Sequence, residues 1–72
     1  MTESSSVTIQ FNGNEMAVPT GTTIADLLAM VEMKGAIVAV EVNQEVVPRE
    51  QHGDSQVKSG DLIEAVTLVG GG

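Results

Sequence analysis

The sequence predicts an α+β domain of two layers, with a single helix lying across one face of a five-strand sheet. Three observations lead there. Two segments, VTIQF and AIVAVEVN, alternate apolar and polar residues, the period of a half-buried strand, and three further short segments bounded by turn signals read as strands. Only one segment, Ile24 to Val31, repeats its apolar residues at helical spacing. The order is therefore β-β-α-β-β-β, and one helix can cover only one face of such a sheet.

The first strand is VTIQF, in which Val7, Ile9 and Phe11 point one way and Thr8 and Gln10 the other. Asn12-Gly13 follows, a hairpin signal because both residue types tolerate positive φ. The return strand, Glu15 to Val18, stops at Pro19, which has no N–H to give to a ladder. Thr23 then reads as a helix N-cap, with Asp26 three positions on as its capping-box partner. Ile24, Leu27, Leu28 and Val31 form the apolar stripe. Gly35 is the expected stop, with Lys34 in the last turn. Met30 and Met33 flank the stripe and read as core filling, with an adaptable partner surface as the second use.

Alternation returns in AIVAVEVN, with Val38, Val40 and Val42 on one side and Ala39 and Glu41 on the other. Asn43-Gln44 is a tight connection to the short strand EVVP, which ends at Pro48. The stretch PREQHGDSQVKSGD is irregular, carries turn signals at Gly53-Asp54 and Gly60-Asp61, and has room for one helical turn. The last strand runs from Asp61 to about Val69.

That last strand breaks the simple pattern. Ile63, Ala65, Thr67 and Val69 share one face, and Leu62, Glu64, Val66 and Leu68 the other. A carboxylate is rarely buried unpaired in an aliphatic core. Glu64 therefore points outward, Ile63 and Ala65 point at the helix, and Val66 and Leu68 are left on the open face. Together with Val69 they are the expected partner interface, an exposed apolar patch beside the chain terminus.

Composition limits what such a domain can do. At 72 residues it buries only roughly 60% of the surface that it exposes when unfolded. It has no cysteine and one histidine, His52, so disulfides and thiolate or histidine-rich metal sites are excluded. Ten acidic residues against three basic ones give a formal charge of −7. That charge disfavours nucleic acid and anionic lipid and suits a basic protein surface. The first residues, MTESSS, lack the order of a signal peptide, and the expectation is a cytoplasmic protein.

No enzyme is visible in the residues. VPTGTTIAD lacks the lysine of a phosphate-binding loop. One histidine without cysteine offers no nucleophile–base pair. Glu45 and Glu50 could form a carboxylate pair but read as solvated acids. His52, in a polar loop, reads as exposed and uninvolved in chemistry.

What remains is the end of the chain, TLVGGG. A Gly-Gly-Gly segment has no side chains and reaches backbone conformations closed to other residues. Three extended residues span roughly 10 Å. Gly70, Gly71 and Gly72 could thread a narrow channel and deliver the terminal carboxylate to a site on another protein. Once adenylated by ATP, that carboxylate becomes an electrophile for a thiolate or persulfide. The tail is then a substrate, and the domain is its handle.

NQEVVPREQ (Asn43 to Gln51), the Gly60-Asp61 turn, IEAVTLVGGG and the capped GTTIADLL helix together resemble the ThiS family of sulfur carriers of thiamine thiazole biosynthesis. The resemblance covers nearly the whole chain from about residue 6. It implies a ubiquitin-like β-grasp fold, a mixed sheet packed on one helix, with the first and last strands parallel neighbours in the middle. It divides the chain into a disordered tail (1–5), the β-grasp domain (6–69) and a flexible glycine tail (70–72). It also implies that Gly72 is the residue adenylated and then converted to a thiocarboxylate, with Gly71 as the second tail glycine; Gly70 is an additional spacer in the tail expected to thread into its partners. Those partners are an E1-like adenylyltransferase (ThiF type), which uses the ATP, a sulfur-donor enzyme, and a thiazole synthase (ThiG type). No cofactor is bound by the carrier itself. Arg49 and Glu50 lie in the matching PRE segment, where they either brace the fold by surface ion pairs, the favoured reading, or touch a partner. His52 departs from the family, which often has an aromatic residue there, and weaker packing under the long loop is expected from it. A carrier of the same fold for another product such as molybdopterin, or a ubiquitin-like modifier of lysines, shares the tail chemistry and is the alternative.

Overall fold

A computed structural model describes residues 5–33 and 38–67. The elements are β1 (Ser6–Phe11), β2 (Asn14–Pro19), α1 (Ile24–Met30), β3 (Val38–Val42), β4 (Glu45–Val47), a 3-10 turn (Arg49–Gln51) and β5 (Leu62–Thr67). The strands form one sheet in the order β2-β1-β5-β3-β4. β1 and β5 are parallel, and the other neighbours are antiparallel. The expected order and the central parallel pair are both present.

Each hairpin is closed by a two-residue turn. Phe11 pairs with Asn14 across Asn12 (φ 51°) and Gly13 (φ 86°), and Val42 pairs with Glu45 across Asn43 (φ 54°) and Gln44 (φ 72°). Positive φ at both central residues matches the right-handed twist of the strands. Glycine and asparagine adopt it readily. Gln44 does so at some steric cost.

The helix has only seven residues, too short to persist alone, so packing and capping must hold it. Ile24, Leu27 and Leu28 are buried, and the Thr23–Asp26 capping box is formed in both directions. The remaining first-turn donors also find acceptors. The Ile24 N–H donates to Ser55 O (2.8 Å), and the Ala25 N–H to His52 O (3.0 Å). The long loop thus satisfies helix donors that would otherwise be orphaned.

The helix ends earlier than Gly35 predicts. Val31 is its C-cap, and Glu32 takes the left-handed conformation with φ 64°. The Met33 N–H donates to Leu28 O (2.7 Å) and the Glu32 N–H to Ala29 O (3.2 Å). This is the paired hydrogen-bond pattern of a Schellman cap. Met33 packs against the core, so the cap is anchored by an apolar contact without a glycine. The two methionines divide: Met33 is half-buried against the core, and Met30 is 45% exposed. Lys34 and Gly35 lie outside the described residues.

Ile9, Val18, Ile24, Leu27, Val40 and Ile63 are the most buried large side chains, contributed by four strands and the helix. Full burial of such a side chain contributes about 1.5–3 kcal/mol. Val57 and His52, from the irregular stretch, are also buried. His52 is therefore not the exposed loop residue that its surroundings predict. Its Nε2 lies 3.0 Å from Val47 O, and its carbonyl caps the helix. It joins the end of β4 to the start of α1, which is why it is buried. The helical turn in that stretch is the 3-10 turn at Arg49–Gln51.

Candidate functional site

The strand that leads to the terminal glycines occupies the centre of the sheet. β5 pairs with β1 through Gln10–Leu62 and Phe11–Ile63, and with β3 from Val38–Thr67 to Val42–Ile63. Ile63 and Ala65 face the helix and are buried, while Leu62, Glu64 and Val66 are exposed on the opposite face. The division of the strand into two unlike faces is as expected.

Two turn asparagines grip β5 from opposite sides. Asn12, between β1 and β2, donates its own N–H to Ile63 O (2.9 Å). Its side chain accepts the Ala65 N–H at Oδ1 (2.8 Å) and donates Nδ2–H to Ala65 O (3.1 Å). Asn43, between β3 and β4, donates its N–H to Leu62 O (2.7 Å) and accepts the Leu62 N–H at Oδ1 (3.0 Å). Its Nδ2 donates to Asp61 Oδ1 (3.0 Å), and Asp61 Oδ2 accepts the Lys58 N–H (2.8 Å). The start of β5 at Leu62 and its middle at Ala65 are held by side chains that sequence reading assigns only to turns.

The open face carries a mixed patch. Register places Glu64 opposite Glu41, Val66 opposite Ala39, and Val46 opposite Glu41 on its other side. Ala39, Glu41, Val46, Glu64 and Val66 line a shallow depression there. Val46 is 69% exposed, Val66 57% and Leu62 50%, which are three of the four exposed large apolar residues among those described. Exposed apolar area is thus gathered on this face rather than scattered singly. Val66, expected in the partner interface, sits in the patch. Leu68, Val69, Gly70, Gly71 and Gly72 lie outside the described residues. Val46 and the Glu41–Glu64 pairing were missed by sequence reading, because cross-strand partners depend on a register that no local motif encodes.

Arg49 and Glu50 are both exposed in the 3-10 turn. The ion-pair bracing expected of them does not form among the described residues; the turn is closed by main-chain bonds, Gln51 N–H to Pro48 O (2.9 Å) and His52 N–H to Arg49 O (3.1 Å). The described residues contain no cluster of three acidic, histidine or cysteine side chains placed to hold a metal. None of their helices is long and apolar enough to cross a membrane.

Comparison with known proteins agrees with this geometry. The ThiS family model matches residues 9–72. The sulfur carrier protein ThiS of Bacillus subtilis is 38% identical over 65 residues, covering 89% of this chain and 98% of that protein. A thiazole synthase of Paramagnetospirillum magneticum is 36% identical over 61 residues, covering 85% of this chain but only 19% of that longer protein. The crystal structure of the thiamine biosynthesis protein ThiS from Geobacter metallireducens superposes with a TM-score of 0.77 at 32% identity, over 92% of this chain and all of that one. A match that runs from the first strand to the last glycine, on the same fold, means that this chain belongs to the ThiS family.

Proposed function

We propose that this protein is a sulfur carrier for formation of the thiazole ring of thiamine, and that Gly72 bears the sulfur. The Gly72 carboxylate attacks the α-phosphorus of ATP on an E1-like adenylyltransferase, giving an acyl-adenylate and releasing pyrophosphate. A persulfide on a sulfur-donor protein then attacks the acyl carbon and expels AMP. A thiol cleaves the resulting acyl disulfide, and the thiocarboxylate remains on Gly72. Thiazole synthase takes the sulfur and returns the carboxylate. The carrier catalyses none of these steps and binds no cofactor of its own.

The observation that carries this reading is the family match extending through residue 72, on a domain whose central strand leads to that residue. Partnership with a thiazole synthase is supported by the segment of such an enzyme that is similar to nearly all of this chain. We assign docking to the open face around Val66, where apolar side chains surround acids; Leu68 and Val69, expected in the same interface, lie outside the described residues. An acidic carrier is steered toward a basic partner surface.

The test is carrier-dependent exchange of labelled pyrophosphate into ATP by the E1-like enzyme. Exchange with the full chain, and none with a chain lacking Gly72, supports the reading. Equal exchange with both chains refutes the terminal site.

A further inference from the structure

The Asn12 side chain does what no hairpin turn requires. A turn with positive φ at its first central position is satisfied by asparagine, aspartate or glycine alike. Only a primary amide offers an acceptor and a donor spaced like those of a peptide group. Asn12 uses both on one residue, Ala65, 53 positions away in sequence. The β1–β5 ladder ends at Phe11–Ile63, and the Asn12 N–H to Ile63 O is the last main-chain bond on that side among the described residues. Its side chain then stands in for the next peptide of β1, carrying the ladder two residues further along β5. From Ala65 to Gly72 the chain has seven residues left.

We infer that Asn12 is a positioning residue for the transfer reaction: its amide grips the Ala65 main chain and fixes the direction in which β5 leaves the sheet toward Gly72. This rests on the carrier reading above. A terminus launched from a strand held at Ala65 on both edges presents fewer conformations to a narrow channel than one held there by β3 alone. Less ordering is then needed on docking, and the gain appears in binding to the activating enzyme rather than in the chemical step.

Two substitutions separate this role from turn formation. Asn12→Gly keeps the turn, since glycine takes φ 51° freely, but removes both bonds to Ala65. Asn12→Asp keeps the turn and the acceptor for the Ala65 N–H, and replaces the donor with a carboxylate oxygen facing the Ala65 carbonyl. In pyrophosphate exchange, KM for Asn12→Gly should rise several-fold at unchanged kcat, because the freed segment must be ordered on docking. Asn12→Asp should also raise KM. The Ala65 amide should exchange with deuterium faster in Asn12→Gly while that of Leu27 stays as slow as before, which shows that the globule is intact. If Asn12→Gly does not fold, Asn12→Asp decides alone. Wild-type KM in a folded variant, or a fall in kcat alone, overturns the inference. Failure of the unsubstituted chain to support exchange overturns the carrier reading and this inference together, whereas exchange with an indifferent Asn12 overturns this inference only.

Discussion

Glu41 and Glu64 stand directly opposite each other on β3 and β5, both exposed on the face of the sheet away from the helix. Like charges in this position destabilise an antiparallel pair. Ala39, Val46 and Val66 line the same depression as the two carboxylates, and a cation placed between the carboxylates would relieve their repulsion. The same carboxylates keep an apolar patch soluble in the free carrier.

Glu64→Lys replaces repulsion with attraction to Glu41. The folded state should gain about 0.5 kcal/mol at low salt, read as a higher urea midpoint. The gain should shrink as salt screens the pair. A midpoint unchanged at every salt concentration contradicts the like-charge account.

Val66→Ser tests the face as a docking surface. Val66 is 57% exposed, so its loss should change stability by no more than about 0.5 kcal/mol. KM for the carrier in pyrophosphate exchange should nevertheless rise several-fold. An unchanged KM places docking elsewhere.

His52 closes the space between the end of β4 and the start of α1. Truncation by His52→Ala leaves a cavity and strips the Val47 carbonyl of its side-chain partner. Chemical denaturation should show a loss of about 2 kcal/mol, with activity per folded molecule retained. A neutral effect on stability would show that the loop holds without its plug.

Glu32 caps the helix in a left-handed conformation that disfavours any residue with a Cβ. Glu32→Gly should raise stability by about 0.5–1 kcal/mol, because glycine takes φ 64° without strain. Differential scanning calorimetry reads this as a higher Tm. A lower Tm would mean that the longer Glu side chain contributes more than the strain removes.

These positions also show what the sequence made legible. The element order β-β-α-β-β-β, both two-residue turns, the Thr23–Asp26 box and the two faces of β5 follow from local rules of period and turn chemistry, and the structure has them all. The helix end did not follow, because Gly35 was the obvious stop, whereas the cap forms three residues earlier, where Met33 packs against the core, a tertiary contact. His52 was misread for the same reason: a polar neighbourhood in sequence says nothing of a helix N-terminus folded onto it. The Asn12–Ala65 contact spans most of the chain, and Asn12-Gly13 alone signals only a hairpin. As for the site, Val66 could be placed on its face from sequence, whereas Val46 joins it only through register.

Intact-mass spectrometry with C-terminal fragmentation tests the central claim most directly. The full chain, incubated with ATP, an E1-like enzyme and a persulfide donor, should gain the mass difference of sulfur for oxygen, confined to the fragment containing Gly72. No gain under conditions that modify the Bacillus subtilis carrier, or a gain located anywhere but Gly72, contradicts it.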